Sequence, residues 1–84
     1  MSSTLTLTRN DGVTATFPLI WLDHDVNVDG EWTTTPAPAL LPDDDEALTD
    51  FAGYDVLRTI VYLWIDGNGT TSADVVCGTY TITL

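Results

Sequence analysis

The alternation of apolar and polar residues along the chain predicts strands over much of its length. Residues 4–9 alternate threonine with leucine, and residues 13–17 resume the alternation after Asn10-Asp11-Gly12. A short connection ending in glycine between two alternating segments is typical of a β-hairpin, because glycine reaches the backbone conformation that the turn requires. Pro18 then interrupts the pattern, so we expect the strand to bend there.

The most apolar part of the chain, Tyr54 to Ile65, predicts a central strand. It is too short to span a membrane, and it is rich in β-branched and aromatic residues. Side chains of a strand alternate between two faces, and neither face would be polar here. One face would carry Leu57, Thr59, Val61, Leu63 and Ile65, and the other Val56, Arg58, Ile60, Tyr62 and Trp64. A chain of 84 residues has little material to cover two apolar faces, so the pattern predicts a partner, such as further copies of the chain.

The remaining segments predict one helix, an extended arm and a final strand. Residues 23–31 read as an acidic loop, and three prolines keep residues 32–42 extended. Acidic residues followed by an apolar stripe predict a short helix over about 44–52. Residues 75–84 alternate again, as in a strand. The predicted fold is mainly β, a small antiparallel β-sandwich or partly open barrel in a single domain over residues 1–84.

The arm and the central strand are the predicted contacts between subunits. An extended prolyl segment loses little conformational entropy on docking, and burying a large apolar side chain contributes about 1.5–3 kcal/mol. The predicted interface residues are Trp32, Leu40, Leu41, Tyr62 and Trp64. The threonine faces of the first and last strands offer a second, uncharged surface where copies could meet; the alternative is a solvated sheet face, since threonine is simply a good strand residue.

The composition adds a strong negative charge. Thirteen acidic residues stand against two arginines and no lysine, which gives a formal net charge of −11. Such a chain repels itself at low ionic strength, and a Debye length of about 3 Å at about 1 M salt removes most of that repulsion. We therefore expect a protein adapted to a halophile's cytoplasm, with an acidic nucleic-acid mimic or a cation-binding protein as alternatives. Direct binding to nucleic acid is not expected, because phosphates would meet like charge.

The sequence predicts a soluble protein without membrane contact. The longest unbroken apolar run, Ile60 to Ile65, has six residues and is too short for a membrane helix. The first residues, MSSTLTLT, have neither the basic region nor the apolar run of a signal peptide.

One stretch carries candidate metal ligands. Asp25, Asn27 and Asp29 place oxygen atoms at alternate positions before Gly30, as the first half of a calcium loop does. The match ends at Pro36, which stands where a bidentate acid belongs. These three residues are candidate ligands for Ca²⁺ or another cation, with a solvated acidic turn as the alternative. No other cofactor is predicted.

Two further residues, His24 and Cys77, have side chains of the kinds that take part in catalysis or pH sensing. His24 lies between two aspartates, which favour its charged form, so it could sense pH. Cys77 has no second cysteine to pair with and no basic neighbour to activate it. With no second histidine, no lysine and no nucleophile motif, the sequence predicts no enzyme and no catalytic residue.

The chain resembles small structural proteins of head-tailed viruses that infect haloarchaea. The resemblance lies in LTLTRNDGVTATFP, then WLDHDVNVDG, then TPAPALLPDDDE, followed by a β-rich end. It is similar in style to tail-tube and baseplate-type β domains, whose loops and arms join identical subunits. The resemblance implies a virion protein, made in the host cytoplasm, that forms homo-oligomers and contacts other virion proteins. A capsid decoration or turret protein has the same features, and a cellular halophilic binding module is the alternative from another class.

Overall fold

The computed structural model describes residues 3–84, which form six strands and two helices. The strands are β1 (Thr4–Arg9), β2 (Thr14–Pro18), β3 (Ile20–Val28), β4 (Glu31–Ala39), β5 (Ser72–Val75) and β6 (Gly78–Thr83), and the helices are α1 (Pro42–Ala52) and α2 (Val56–Asp66). One antiparallel sheet has the order β2-β1-β6-β5, and β3 and β4 form a second, two-stranded sheet. The prediction of a small, mainly β fold is confirmed.

The four-stranded sheet has an apolar inner face and a threonine outer face. The buried side chains of the inner face are Leu5, Leu7, Phe17, Tyr80 and Ile82. On the outer face, neighbouring strands are joined by threonine hydroxyl pairs, each 3.1 Å apart, between Thr6 and Thr16 and between Thr8 and Thr14. The alternation predicted for the opening hairpin and for the last strand is therefore confirmed, because the core covers one face and solvent the other.

The two helices close the core over this inner face. Leu48 of α1 and Ile60 of α2 are almost wholly buried against it. The predicted short helix is confirmed as α1, which begins at Pro42, where the missing N–H of proline leaves no helical bond unmade. Arg9 of β1 holds the other end of α1: its Nη1 donates to the Phe51 carbonyl oxygen at 3.2 Å, and its guanidinium carbon lies 4.5 Å from the centre of the Phe51 ring.

The predicted central strand is wrong, because this segment forms the helix α2. Val56, Ile60 and Trp64 recur every fourth residue, and this stripe packs against the core. Leu57, Val61 and Ile65 recur at the same spacing on an adjacent side of the helix. An apolar run of this length fits a helix as well as a strand, and differences in propensity of less than about 1 kcal/mol per residue yield to packing.

The predicted acidic loop and prolyl arm are also corrected, because together they form the β3–β4 hairpin. Their antiparallel register runs from Ile20 opposite Ala39 to Val28 opposite Glu31. Asp29 and Gly30 make the two-residue turn with φ angles of 52° and 88°, the left-handed values that this kind of turn requires. The extended course predicted for the prolyl segment is thus a strand with a fixed partner. The described molecule measures 42 × 24 × 22 Å.

Candidate functional site

The main concave surface lies between the β3–β4 hairpin and the two helices, and we call it the hairpin–helix groove. It has a volume of about 790 Å³. Its walls come from β3 (24–27), β4 (38 and 39), α1 (45, 48 and 49), and from residues 53–58, 61, 62, 65 and 66 at the end of α1 and along α2. The groove exists because α2 buries Val56 and Ile60 in the core and leaves the neighbouring apolar stripe only half-buried.

The floor of the groove is apolar and its aromatic side chains are open to solvent. Leu57, Val61 and Ile65 of α2 are half-buried along it. Tyr54 is 88% exposed and Tyr62 is 54% exposed. A contiguous apolar surface of this kind is a recognised mark of a binding site, whereas single exposed apolar residues are ordinary.

Negative charge surrounds this apolar floor. Four carboxylates line the groove, from Asp25, Asp45, Asp55 and Asp66. The single arginine on the groove wall, Arg58, lies with its guanidinium carbon 5.8 Å from the centre of the Tyr62 ring. The Tyr62 hydroxyl first, and Asp55 to a smaller extent, raise the pKa of this guanidinium above its ordinary value. At low ionic strength the groove therefore favours an apolar occupant with a cationic edge, and salt that screens its carboxylates weakens this preference.

The predicted interface residues fall into four different environments. Trp32 and Leu41 are 72% and 50% exposed and lie outside the groove, whereas Tyr62 lies on the groove wall. Leu40 is buried in the core of its own chain. Trp64 is half-buried and joins α2 to the hairpin.

Trp64 makes two contacts that hold the hairpin against α2. Its ring lies 5.1 Å, centre to centre, from the ring of Trp21 in β3, at an interplanar angle of 56°. Its Nε1–H donates to the carbonyl oxygen of Pro36 in β4 at 3.3 Å. A tilted aromatic pair at this separation is a favourable geometry.

The candidate calcium ligands lie at the tip of the hairpin. Asp25 and Asn27 are on one face of β3, and Asp29 is in the turn. The Asn27 Oδ1 accepts from the Gly30 backbone N–H at 3.0 Å, and the Asp25 Oδ1 accepts from the Thr34 hydroxyl at 3.3 Å. Within residues 3–84, no group of three or more His, Cys, Asp or Glu side chains is placed to hold a metal ion.

His24 lines the hairpin–helix groove and Cys77 does not. His24 is half-buried on β3 and contributes to the groove wall. Cys77 is a half-buried free thiol in the β5–β6 turn, packed at the border of the core. The groove therefore contains the His24 imidazole and not the Cys77 thiol.

The apolar floor of the groove was not predicted from the sequence. The stripe of Leu57, Val61 and Ile65 was present as an every-fourth-residue spacing, but the same letters also fit a strand. The signal that distinguishes the two is the polar set Arg58, Thr59, Tyr62 and Asp66, which shares one side of a helix, whereas a strand would divide it between two faces.

Comparisons of the chain with models of protein families, with curated proteins and with solved structures find no match. In the described part of the chain, neither helix is both long enough and apolar enough to cross a membrane.

Proposed function

We propose that the chain is a structural subunit that assembles with copies of itself and with neighbouring proteins, as a tail or baseplate component in the virion of a haloarchaeal tailed virus. The observation that carries this proposal is the half-exposed apolar floor of the hairpin–helix groove, with Tyr54 and Tyr62 open to solvent. The virion setting is supported by the resemblance of the sequence to small β proteins of such viruses.

The two exposed tyrosines of the groove supply only a modest part of the free energy that association requires. Complete burial of a large apolar side chain contributes about 1.5–3 kcal/mol, so Tyr54, at 88% exposure, would gain nearly all of that amount and Tyr62 about half. Association costs about 4–15 kcal/mol in lost freedom of motion. A single contact through the groove is therefore modest, and an assembly in which every subunit makes several contacts is favoured over an isolated dimer.

Charge decides the conditions under which copies can meet. The net charge of −11 and the carboxylates around the groove repel a second copy at low ionic strength. At about 1 M salt the Debye length falls to about 3 Å, and the apolar contact then outweighs the repulsion. We expect assembly at molar salt and dissociation on dilution.

The test is the molar mass of the purified protein, measured by light scattering at about 3 M NaCl, where charges are well screened. The wild type should exceed the 9.1 kDa of one chain and form rings or particles visible by electron microscopy. The double variant Tyr54→Ser/Tyr62→Ser should remain monomeric. The control Val13→Ser/Val76→Ser removes exposed apolar residues outside the groove and should assemble like the wild type.

A folded wild type that stays at 9.1 kDa over a wide range of concentrations would refute the proposal. Equal loss of assembly in both double variants would also refute it, because the groove would then have no special part. Circular dichroism of each variant establishes that it is folded.

A further inference from the structure

The β3–β4 hairpin has two edges that differ in their capacity to accept another strand. The turn at Asp29-Gly30 makes Val28 and Glu31 the hydrogen-bonded pair next to it, as in every two-residue hairpin. Hydrogen-bonded and non-hydrogen-bonded pairs alternate along an antiparallel ladder. The N–H and C=O groups of the even-numbered β3 residues therefore point towards β4, and those of the odd-numbered β3 residues point away from it. On β4, the even-numbered residues point outward.

The outer edge of β4 cannot pair with a further strand over half of its length. Pro36 and Pro38 fall on outward positions and have no N–H to offer a new strand. The outward carbonyl oxygen of Pro36 already accepts the Trp64 indole N–H at 3.3 Å. The helix α2 packs along this strand. Two outward positions of β4, Trp32 and Thr34, remain without these obstacles.

The outer edge of β3 is open. Its outward residues are Trp21, Asp23, Asp25 and Asn27, and β4 is the one strand with which β3 pairs in the described residues. No proline interrupts it, so each of these residues has both an N–H and a carbonyl oxygen directed away from β4. Such an edge is a template for pairing with a further strand.

The charge of the hairpin indicates which strand fits. Asp23 and Asp25 share one face of β3, and the hairpin from Ile20 to Ala39 contains no lysine or arginine. Like charges directly opposite each other destabilise a strand pair, whereas opposite charges stabilise it. A second copy of β3, paired antiparallel and centred on His24, would place Asp23 opposite Asp25 of the other copy. A cationic strand from a different protein avoids this repulsion.

We propose that the outer edge of β3 binds an extended, lysine- or arginine-bearing segment of a partner protein by strand addition. Main-chain hydrogen bonds to residues 23, 25 and 27 hold the segment, and alternate cationic side chains meet Asp23 and Asp25. This contact differs from the self-assembly proposed for the groove, because it uses the outward backbone groups of β3 and a partner of opposite charge, although the side chains of Asp25 and Asn27 also line the groove wall.

The probe is a fluorescent peptide of about eight residues, a usual strand length, in which lysine alternates with valine. Its binding is followed by fluorescence anisotropy at the lowest salt concentration at which the protein is folded. A peptide with glutamate in place of lysine should bind at least about tenfold more weakly, a difference of about 1.4 kcal/mol. A lysine peptide with N-methyl groups on alternate amides, which cannot pair along the edge, should also lose at least about tenfold.

A pair of proline variants provides the matched control. Asp25 and Thr34 lie opposite each other, and both are at outward positions, so each substitution removes one outward N–H and leaves the ladder between β3 and β4 intact. Asp25→Pro should abolish binding of the lysine peptide, and Thr34→Pro should leave it unchanged. Asp25→Asn should retain binding and reduce the preference for lysine over glutamate.

Equal binding of the N-methylated and unmodified peptides to the wild type would overturn the proposal, because attraction would then depend on charge alone. Equal loss in Asp25→Pro and Thr34→Pro would overturn the assignment to β3. If Asp25→Pro does not fold, the N-methylated peptide decides the question with the wild-type protein. Light scattering of the same samples reports self-assembly separately, so a failure of peptide binding and a failure of the proposed function are different results.

Discussion

Removal of the Trp64 side chain tests whether α2 holds the β3–β4 hairpin in place. In Trp64→Ala, the tilted contact with Trp21 and the hydrogen bond to the Pro36 carbonyl oxygen are both lost. A fully buried Trp→Ala change costs about 3–5 kcal/mol, and Trp64 is only half-buried, so we take about half of that range. The lost aromatic pair adds about 0.5–1.5 kcal/mol and the lost hydrogen bond about 1 kcal/mol. These contributions sum to about 3–5 kcal/mol, and we expect the lower end, about 3 kcal/mol, because the cost of a Trp→Ala change already includes part of the ring contact.

This loss is large for a chain of this size. A stability of about 0.05–0.15 kcal/mol per residue gives 84 residues about 4–13 kcal/mol in total. The assay is urea unfolding followed by circular dichroism at fixed high salt. With a slope near about 1 kcal/mol per M urea, the midpoint should fall by about 3 M. Trp64→Phe keeps a ring and loses the hydrogen bond, so it should cost about 1 kcal/mol.

Trp32→Ala is the matched control, since Trp32 is on the same hairpin and is 72% exposed. It should change the free energy of unfolding by no more than about 0.5 kcal/mol. If Trp64→Ala and Trp32→Ala differ by less than about 1 kcal/mol, the packing of α2 on the hairpin contributes far less than these contacts imply.

Three further outcomes are expected. Circular dichroism from about 0.05 M to about 3 M NaCl should show that the stability of the fold increases with salt concentration, because salt screens the net charge of −11. Equal stability at the lowest and the highest salt concentration would contradict adaptation to salt. Asp29→Ala should lower the free energy of unfolding by about 1 kcal/mol, because the φ of 52° at position 29 suits aspartate, asparagine and glycine but not alanine. Asp29→Asn should leave the free energy of unfolding unchanged, and equal losses in the two variants would contradict this explanation. Arg9→Ala should raise the pKa of Asp11 towards its ordinary value, because the hydrogen bond from Arg9 is the main cause of the lowered pKa. The lowered pKa stabilises the folded state at pH values above the ordinary pKa, and this stability is lost as the pH falls through the folded-state pKa, so the variant should lose less stability in acid than the wild type. An Asp11 titration by NMR that is unchanged in the variant would contradict the pairing.

The parts of the fold with a strict two-residue period were predictable from the sequence. The segments around Asn10-Asp11-Gly12 alternate leucine or phenylalanine with threonine, and the last strand does the same with Tyr80 and Ile82. In these strands one face is buried and the other solvated, so the sequence period and the burial period coincide. The short helix α1 was predictable because its acidic start and apolar stripe agree with each other.

The helix α2 and the second hairpin were not predicted, for two physical reasons. In α2 the exposed residues Arg58, Thr59, Tyr62 and Asp66 form a narrow stripe at helical spacing, but the β-branched and aromatic residues around them suit a strand as well, so packing against the sheet decides between helix and strand. In the hairpin, the signal Asp29-Gly30 is present, but the acidic residues around it indicate a solvated loop. Pro36 and Pro38 argued against a strand, although prolines two residues apart fit the outward positions of an edge strand. The groove could not be predicted because both of its walls depend on these two elements.

The pairing of β1 with β6, which sets Thr4 opposite Thr83, has a consequence for how the protein folds during synthesis. A hairpin such as β1–β2 closes within about 1–10 μs, but synthesis at about 5–20 residues per second delays β6 by several seconds. Throughout that interval, Leu5 and Leu7 lack the neighbouring strand whose Tyr80 and Ile82 complete the inner face. The strand β1 is therefore enclosed later than the strands that follow it in the sequence, and Leu5 and Leu7 stay accessible to other chains until β6 has been made.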